Sequence, residues 1–334
     1  MSAVDLAFDG LLALGLLWFA WSALTSRSLF KAVVMMIAYG LLMALTWARL
    51  GAVDIALAEA AIGAGVTGAL LLDVVGHISE RRRGGGEPAP ASQSWGEARF
   101  QSFSVEGIAA KARKAATVAL LFALAGALIW SLMTLPEVYP GLQPLVSDHL
   151  TASGVDNPVT AVLLNFRAYD TLLEVGVLLL AVVGIAMMRR EQLTGEGSIW
   201  LEREQQVHGL LTRALVPVML LISGYLLWAG TVSHGGAFQG GAILGAAGIL
   251  MVFGRVLHRA KVDGPLARGG TVLGFAAFFV IGVAVMPVTG AMFAYPEGWA
   301  YDLIFLIEAL LTLSIGVALA LFYAISAREP GGAE

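Results

Sequence analysis

Three glutamates in this chain sit where water is scarce. Glu59, Glu174 and Glu308 each lie inside an apolar run long enough to cross a bilayer, one to two helical turns from the same end. At 1.5 Å per residue that is ~6–10 Å below the membrane boundary. An unpaired carboxylate in hydrocarbon costs several kcal/mol, so each must pair, protonate or face a hydrated cavity. Two chemistries follow. One is a structural acid bonded to a neighbouring helix. The other is a relay for protons or cations.

The neighbourhood of each acid narrows the choice. Glu59 belongs to VDIALAEAAIGAGVTGALLLD, a segment that opens at Asp54. Gly63, Gly65 and Gly68 below it allow another backbone to approach, or a local π-bulge or hinge. Glu174 closes NPVTAVLLNFRAYDTLLEV, in which Arg167, Asp170 and Glu174 are spaced i, i+3, i+7 and so share one helical face. Asn157 and Pro158 suit the cap and first turn of an amphipathic helix that enters the membrane near Tyr169. There the spacing suggests either a local ion pair or a partly buried pair that tunes an acid. Between two further spans runs TVSHGGAFQGGAI. Gly235, Gly236, Gly240 and Gly241 strip bulk from both sides of Phe238 and Gln239, and His234 stands beside them. Irregular backbone at membrane depth is tolerated only against protein or a water-filled cavity. His234 is then either a hydrogen-bonded structural residue or a ligand. The remaining histidines are scattered, so no metal cluster is expected, and no cofactor.

The elements that must position these residues are membrane helices. The chain is 58% hydrophobic and 13% charged, too few charges to cover a water-exposed surface. With no cysteine, disulfides and thiolate chemistry are excluded. Apolar runs at roughly 6–25, 29–48, 52–78, 115–135, 168–188, 214–232, 237–254, 271–289 and 302–325 give an all-α polytopic fold of about nine transmembrane helices. Threaded in order, all of the 20 Lys and Arg residues except Arg49 and Arg167 fall on one side. The positive-inside bias then puts the N-terminus outside and the C-terminus in the cytoplasm. Asp5 and Asp9 open the first run where a signal peptide would be basic, so it reads as a retained helix. Four parts are expected: a three-helix domain over 1–80, a cytoplasmic linker over 81–114, a two-helix domain over 115–190 and a four-helix domain over 191–334. No lysine stands in the middle of a span, and no phosphate loop or nucleophile–base pair is present, which argues against an ATPase or a hydrolase.

On these residues the chain resembles known membrane proteins. DIALAEAAIGAGVT, from Asp54 to Thr67, resembles the three-helix domain of the D subunit of membrane-bound hydrogenases, found also in the large A subunit of Mrp-type Na+/H+ antiporters, with Val53 where that family usually has proline. NPVTAVLLNFRAYDTLLEV resembles the adjoining E subunit of those hydrogenases. HGGAFQGG, from His234 to Gly241, is similar to the glycine-rich signature of the Mrp B subunit, the MnhB domain, without the Asn and Pro that commonly follow the histidine. Glu308 matches the acid of that domain's last helix. The resemblance implies a fused D, E and B module beside large antiporter-like subunits that carry the buried lysines.

The function so implied is an ion-conducting subunit of a multisubunit monovalent cation/proton antiporter in the cell inner membrane, and not an enzyme. Its partners would be other antiporter-like membrane subunits, the lipid bilayer and Na+ or H+ ions, with no nucleic acid. Glu59, Glu174 and Glu308 would line a passage, with Asp54, Arg167, Asp170 and His234 as further candidates. The alternatives are the same module in a redox-driven ion pump, or a scaffold subunit.

Overall fold

The computed structural model describes residues 2–84, 108–135, 141–189, 205–254, 256 and 264–326. Every regular element among them is a helix. Eight helices are long and apolar enough to cross a membrane, and one more, Ala237–Phe253, is apolar but 17 residues long. The chain is an all-α polytopic membrane protein. All nine apolar runs of the sequence find a helix. The seventh starts at Ala237, where the glycine turn ends, as the run 237–254 anticipated. Its ~26 Å of rise falls just below the ~30 Å of a hydrocarbon core.

Helix α1 (Ala3–Thr25) starts on a capping box in which the Ser2 hydroxyl accepts from the Asp5 amide and the Asp5 carboxylate accepts from that of Ser2. Its neighbour α2 (Leu29–Arg49) ends on Arg49, which bonds Asp9 at 2.8 Å and Asp5 at 3.0 Å. Asp5 and Asp9 therefore share a cation from the next helix.

The third span is interrupted. It runs as α3 (Val53–Ala58), a π-helical stretch (Glu59–Val66) and α4 (Thr67–Gly84). Small residues bring it against α2: a Cβ on Gly40 would stand 3.3 Å from the Ala64 nitrogen, and one on Gly68 2.8 Å from Ile37. Helix α5 (Ile108–Met133) buries none of its apolar window within this chain. Of the expected 81–114 linker, residues 81–84 extend α4 and 108–114 open α5, while the rest lies outside the described residues. So do residues 190–204, where the second helical domain is expected to give way to the third.

Before the fifth span come α6 (Gln143–Ser153), a helix that its sequence does not announce, then α7 (Pro158–Ala161) and a second π-helical stretch (Val162–Phe166). Helix α8 (Ala168–Arg189) enters the bundle from there. The chain closes with α9 (Gln205–Ala229), α10 (Ala237–Phe253), α11 (Pro265–Thr289) and α12 (Ala300–Ser326).

The core sits around α12. Ile304, Ile307 and Leu311 of that helix are fully buried. Helix α10 lies against it through glycines: a Cβ on Gly245 would come 2.7 Å from Leu319 Cβ, and one on Gly316 2.7 Å from Leu244. In lipid, where burial of apolar surface drives little, such close backbone approach is what gains dispersion energy. Helices α8 and α11 complete the shell, and α3 with its π-stretch reaches α10 from the other side.

Candidate functional site

The turn between α9 and α10 is built by glycines. Gly235 has φ 145° and Gly236 φ 121°, values that side-chain-bearing residues rarely adopt. The chain doubles back so tightly that a Cβ on Gly230 would lie 2.5 Å from the Gly236 backbone, while the Gly236 amide donates to Leu226 O at 2.8 Å. The first turn of the segment leading to α8 fastens it. Asn157 caps that helix by accepting from the Val159 amide at 2.9 Å. Its amide nitrogen donates to Gly230 O at 2.8 Å and Ser233 O at 2.5 Å. Thr160 Oγ1 adds a bond to Gly230 O at 2.6 Å. Carbonyls freed by an irregular turn are thus taken up by protein, as a low-dielectric surrounding requires.

Two acids from distant parts of the chain converge on this turn. Asp54 at the start of α3 is buried. Its Oδ1 accepts from the Gly235 amide at 2.7 Å, and His234 Nδ1 lies 3.1 Å from its Oδ2. Gln239 donates from Nε2 to the Asp54 carbonyl at 3.2 Å. Glu308 approaches the next residue. It is 3% exposed, and the Ala237 amide bonds its carboxyl group. Its other oxygen, Oε2, is buried with no hydrogen-bond partner. A Cβ on Gly236 would sit 3.0 Å from Glu308 Oε1 and 3.6 Å from Gln239 Oε1, so both oxygens border one small gap.

That gap belongs to a cavity of about 40 Å³ lined by Thr160, Thr171, Gly235, Gly236, Gln239 and Glu308, with apolar walls that include Leu163, Phe238 and Leu311. No basic residue lines it. The neighbouring π-stretch shapes its wall. π-Helical turns leave carbonyls without their usual partner. Here Thr171 Oγ1 donates to Leu163 O at 2.6 Å, and Tyr295 Oη donates to Leu164 O at 3.0 Å. Burial raises the Tyr295 phenol above its ordinary range, so it remains a donor. The loop that carries it is pinned by Phe293, whose ring meets those of Tyr169 and Phe278 at 5.1 and 5.0 Å.

The other expected site residues lie elsewhere. Glu59 begins the π-stretch one turn below Asp54, half-buried, with Gly63 leaving room for its carboxylate. Neither Glu59 nor Glu174 lines the Glu308 cavity. Arg167, Asp170 and Glu174 do not share a continuous helical face. The Arg167 amide closes a π-type bond to Val162 O at 2.8 Å, and its backbone (φ −128°, ψ 33°) then breaks the helix. Arg167 pairs locally with Asp170, with side chains 67% and 55% exposed, and Glu174 points outward from α8. The anticipated partly buried pair is therefore an exposed one. Gly240 and Gly241 are packing glycines, set against Ser223 O and Ile315.

Sequence reading missed Thr160, Thr171 and Tyr295. Nothing in their local pattern marks them, because their roles depend on carbonyls that only the folded turns leave free. Gln239 lay within the glycine signature and had no assigned role.

Residues 14–80 match the MbhD family model, which describes the D component of MBH. Residues 207–327 match that of the domain related to the MnhB subunit of Na+/H+ antiporter. No curated protein sequence matches the chain. A chain of the Mrp complex from Dietzia sp. DQ12-45-1b shares its fold, with TM-score 0.73 and 21% identity over 97% of this chain and 35% of that one. This chain thus spans about a third of that relative. A chain of the membrane-bound sulfane sulfur reductase, an archaeal respiratory membrane complex, aligns with TM-score 0.53 and 22% identity over 65% of this chain and 99% of its own length. Asp54 falls in the first matched range, and His234 and Glu308 fall in the second. The region that matches the MbhD model and the region that matches the MnhB-related model meet at the turn 234–236.

Proposed function

We propose that this chain is an ion-conducting subunit of a multisubunit monovalent cation/proton antiporter of Mrp type, seated in the plasma membrane with its N-terminus outside. One observation carries the reading. Two buried acids, Asp54 and Glu308, come from different domains to flank one glycine turn, and Glu308 opens on a cavity without a counter-cation. A structural acid would be expected to find a fixed donor for each oxygen. An intramembrane acid left with an idle oxygen at a cavity suits an ion path better. The fold shared with a chain of the Mrp complex supports the same reading. The chain's partners are then other membrane subunits, and the segment around Asn157 takes the part of an E-like joint between the two matched domains.

The test is transport by the purified complex in liposomes. Glu308→Gln removes the charge and keeps the shape. Cation-driven proton movement should fall tenfold or more, or ~1.4 kcal/mol in barrier terms. Normal transport by an assembled Glu308→Gln complex would leave a scaffold role instead. A second reading, the same module in a redox-driven pump, draws on the fold shared with the sulfane sulfur reductase complex. Subunits that co-purify in mild detergent separate the two: antiporter-like chains alone, or redox subunits as well.

A further inference from the structure

We infer that the cavity beside Glu308 is a seat for one dehydrated monovalent cation, held by Glu308 Oε2, Gln239 Oε1 and the hydroxyl oxygens of Thr160 and Thr171. This rests on the ion-conducting reading and adds a place where the ion stops.

The donor set is what the chemistry of a hard cation asks for. All four groups offer oxygen, and none of the lining residues offers nitrogen as a base or sulfur. The hydrogen positions agree. Thr160 spends its proton on Gly230 O and Thr171 spends its own on Leu163 O. Each hydroxyl oxygen keeps lone pairs for a further contact. Gln239 spends its Nε2 on the Asp54 carbonyl, which leaves its Oε1 on the Gly236 side, where Glu308 Oε1 also stands. Apart from the Ala237 amide, which bonds Glu308, acceptor oxygens face one gap, and they repel unless something positive fills it.

Size points the same way. A volume of about 40 Å³ exceeds the ~10–15 Å³ that one water-sized particle needs, but leaves no room for an ion with its hydration shell. The glycine at 236 is part of the fit, because a Cβ there would occupy the gap. Glu308 supplies the single negative charge, 3% exposed to solvent and with an idle oxygen, so a monovalent ion neutralises the site and a divalent one would overcharge it.

The experiment is carbodiimide labelling of the purified full-length chain with its co-purifying subunits, read by mass spectrometry at Glu308. At fixed pH, Na+ should protect Glu308 from labelling, and choline at equal ionic strength should not. Gln239→Leu and Thr171→Val should each raise the half-protecting Na+ concentration about tenfold or more. Labelling that ignores Na+ and follows pH alone would overturn the seat while leaving a proton path intact. Should Glu308 resist labelling in both media, the melting temperature of the complex decides. A Na+-dependent rise that Glu308→Gln abolishes and Gln239→Leu displaces to higher Na+ supports the seat, and no rise overturns it. Loss of transport in Glu308→Gln with no Na+ protection in the parent would strike the seat alone. Intact transport in Glu308→Gln would strike the conducting role itself.

Discussion

At the scale of single residues, the turn is stabilised by bonds whose loss is costly because their partners stay behind in a dry place. Asn157→Ala removes a helix cap and strands the carbonyl of Ser233, while that of Gly230 keeps its bond from Thr160. A cap is worth ~1 kcal/mol and a stranded buried group ~1–3 kcal/mol, so a loss of about 2–4 kcal/mol is expected, read as a lower melting temperature in detergent. Gly235→Ala should cost about 2 kcal/mol or more, since it forces a Cβ into a φ of 145° and toward Leu226 O. Tyr295 supplies a pH dependence whose sign is fixed. Its folded phenol titrates above the ordinary value of 10.0, so its contribution is complete below that pH and fades as pH climbs past it. Tyr295 should therefore add no pH dependence to stability near neutrality, and the decline above pH 10 should be shallower in Tyr295→Phe.

At the scale of elements, what was legible in the sequence is what a single helix decides for itself. Spans followed from length and apolar composition. The Asn157 cap followed from Asn-Pro, and the π-stretch at Glu59–Val66 was one of three outcomes allowed by Gly63, Gly65 and Gly68. The second π-stretch, Val162–Phe166, was invisible, because VLLNF holds no glycine and is held open by Thr171 and Tyr295 from other elements. The break at Arg167 that ends it also takes Arg167 off the helix that carries Asp170 and Glu174. Asp54 and His234 were each marked as candidates. Their meeting across 180 positions was not legible, since it depends on how α3 docks against α10. The wall of the cavity gives a further prediction. Thr171→Val keeps the shape but leaves Leu163 O unpaired, at ~1–3 kcal/mol, and the loss should appear as faster amide exchange at the start of α8.

At the scale of the whole molecule, the two matched domains are joined through a polar contact as well as through packing. The Asp54 carboxylate reaches two backbone or ring nitrogens of the other domain's turn, and α10 packs against both α12 and the π-stretch. A chain cut by a protease between α4 and α5 should therefore stay together in mild detergent. The same cut in Asp54→Asn should release the first three spans more readily, measured by size-exclusion chromatography of the cleaved material. If Asp54→Asn holds as firmly as the parent, packing alone joins the domains.

One polypeptide supplies both sides of the Asp54–Gly235 bond. Were the halves separate gene products, that bond would form at a rate set by their abundance and break on dilution. Tethering replaces a bimolecular encounter with an intramolecular one, at an effective concentration of order millimolar for a flexible connection. The pairing ratio is fixed at one to one from synthesis onward, and no cell makes a surplus of either half.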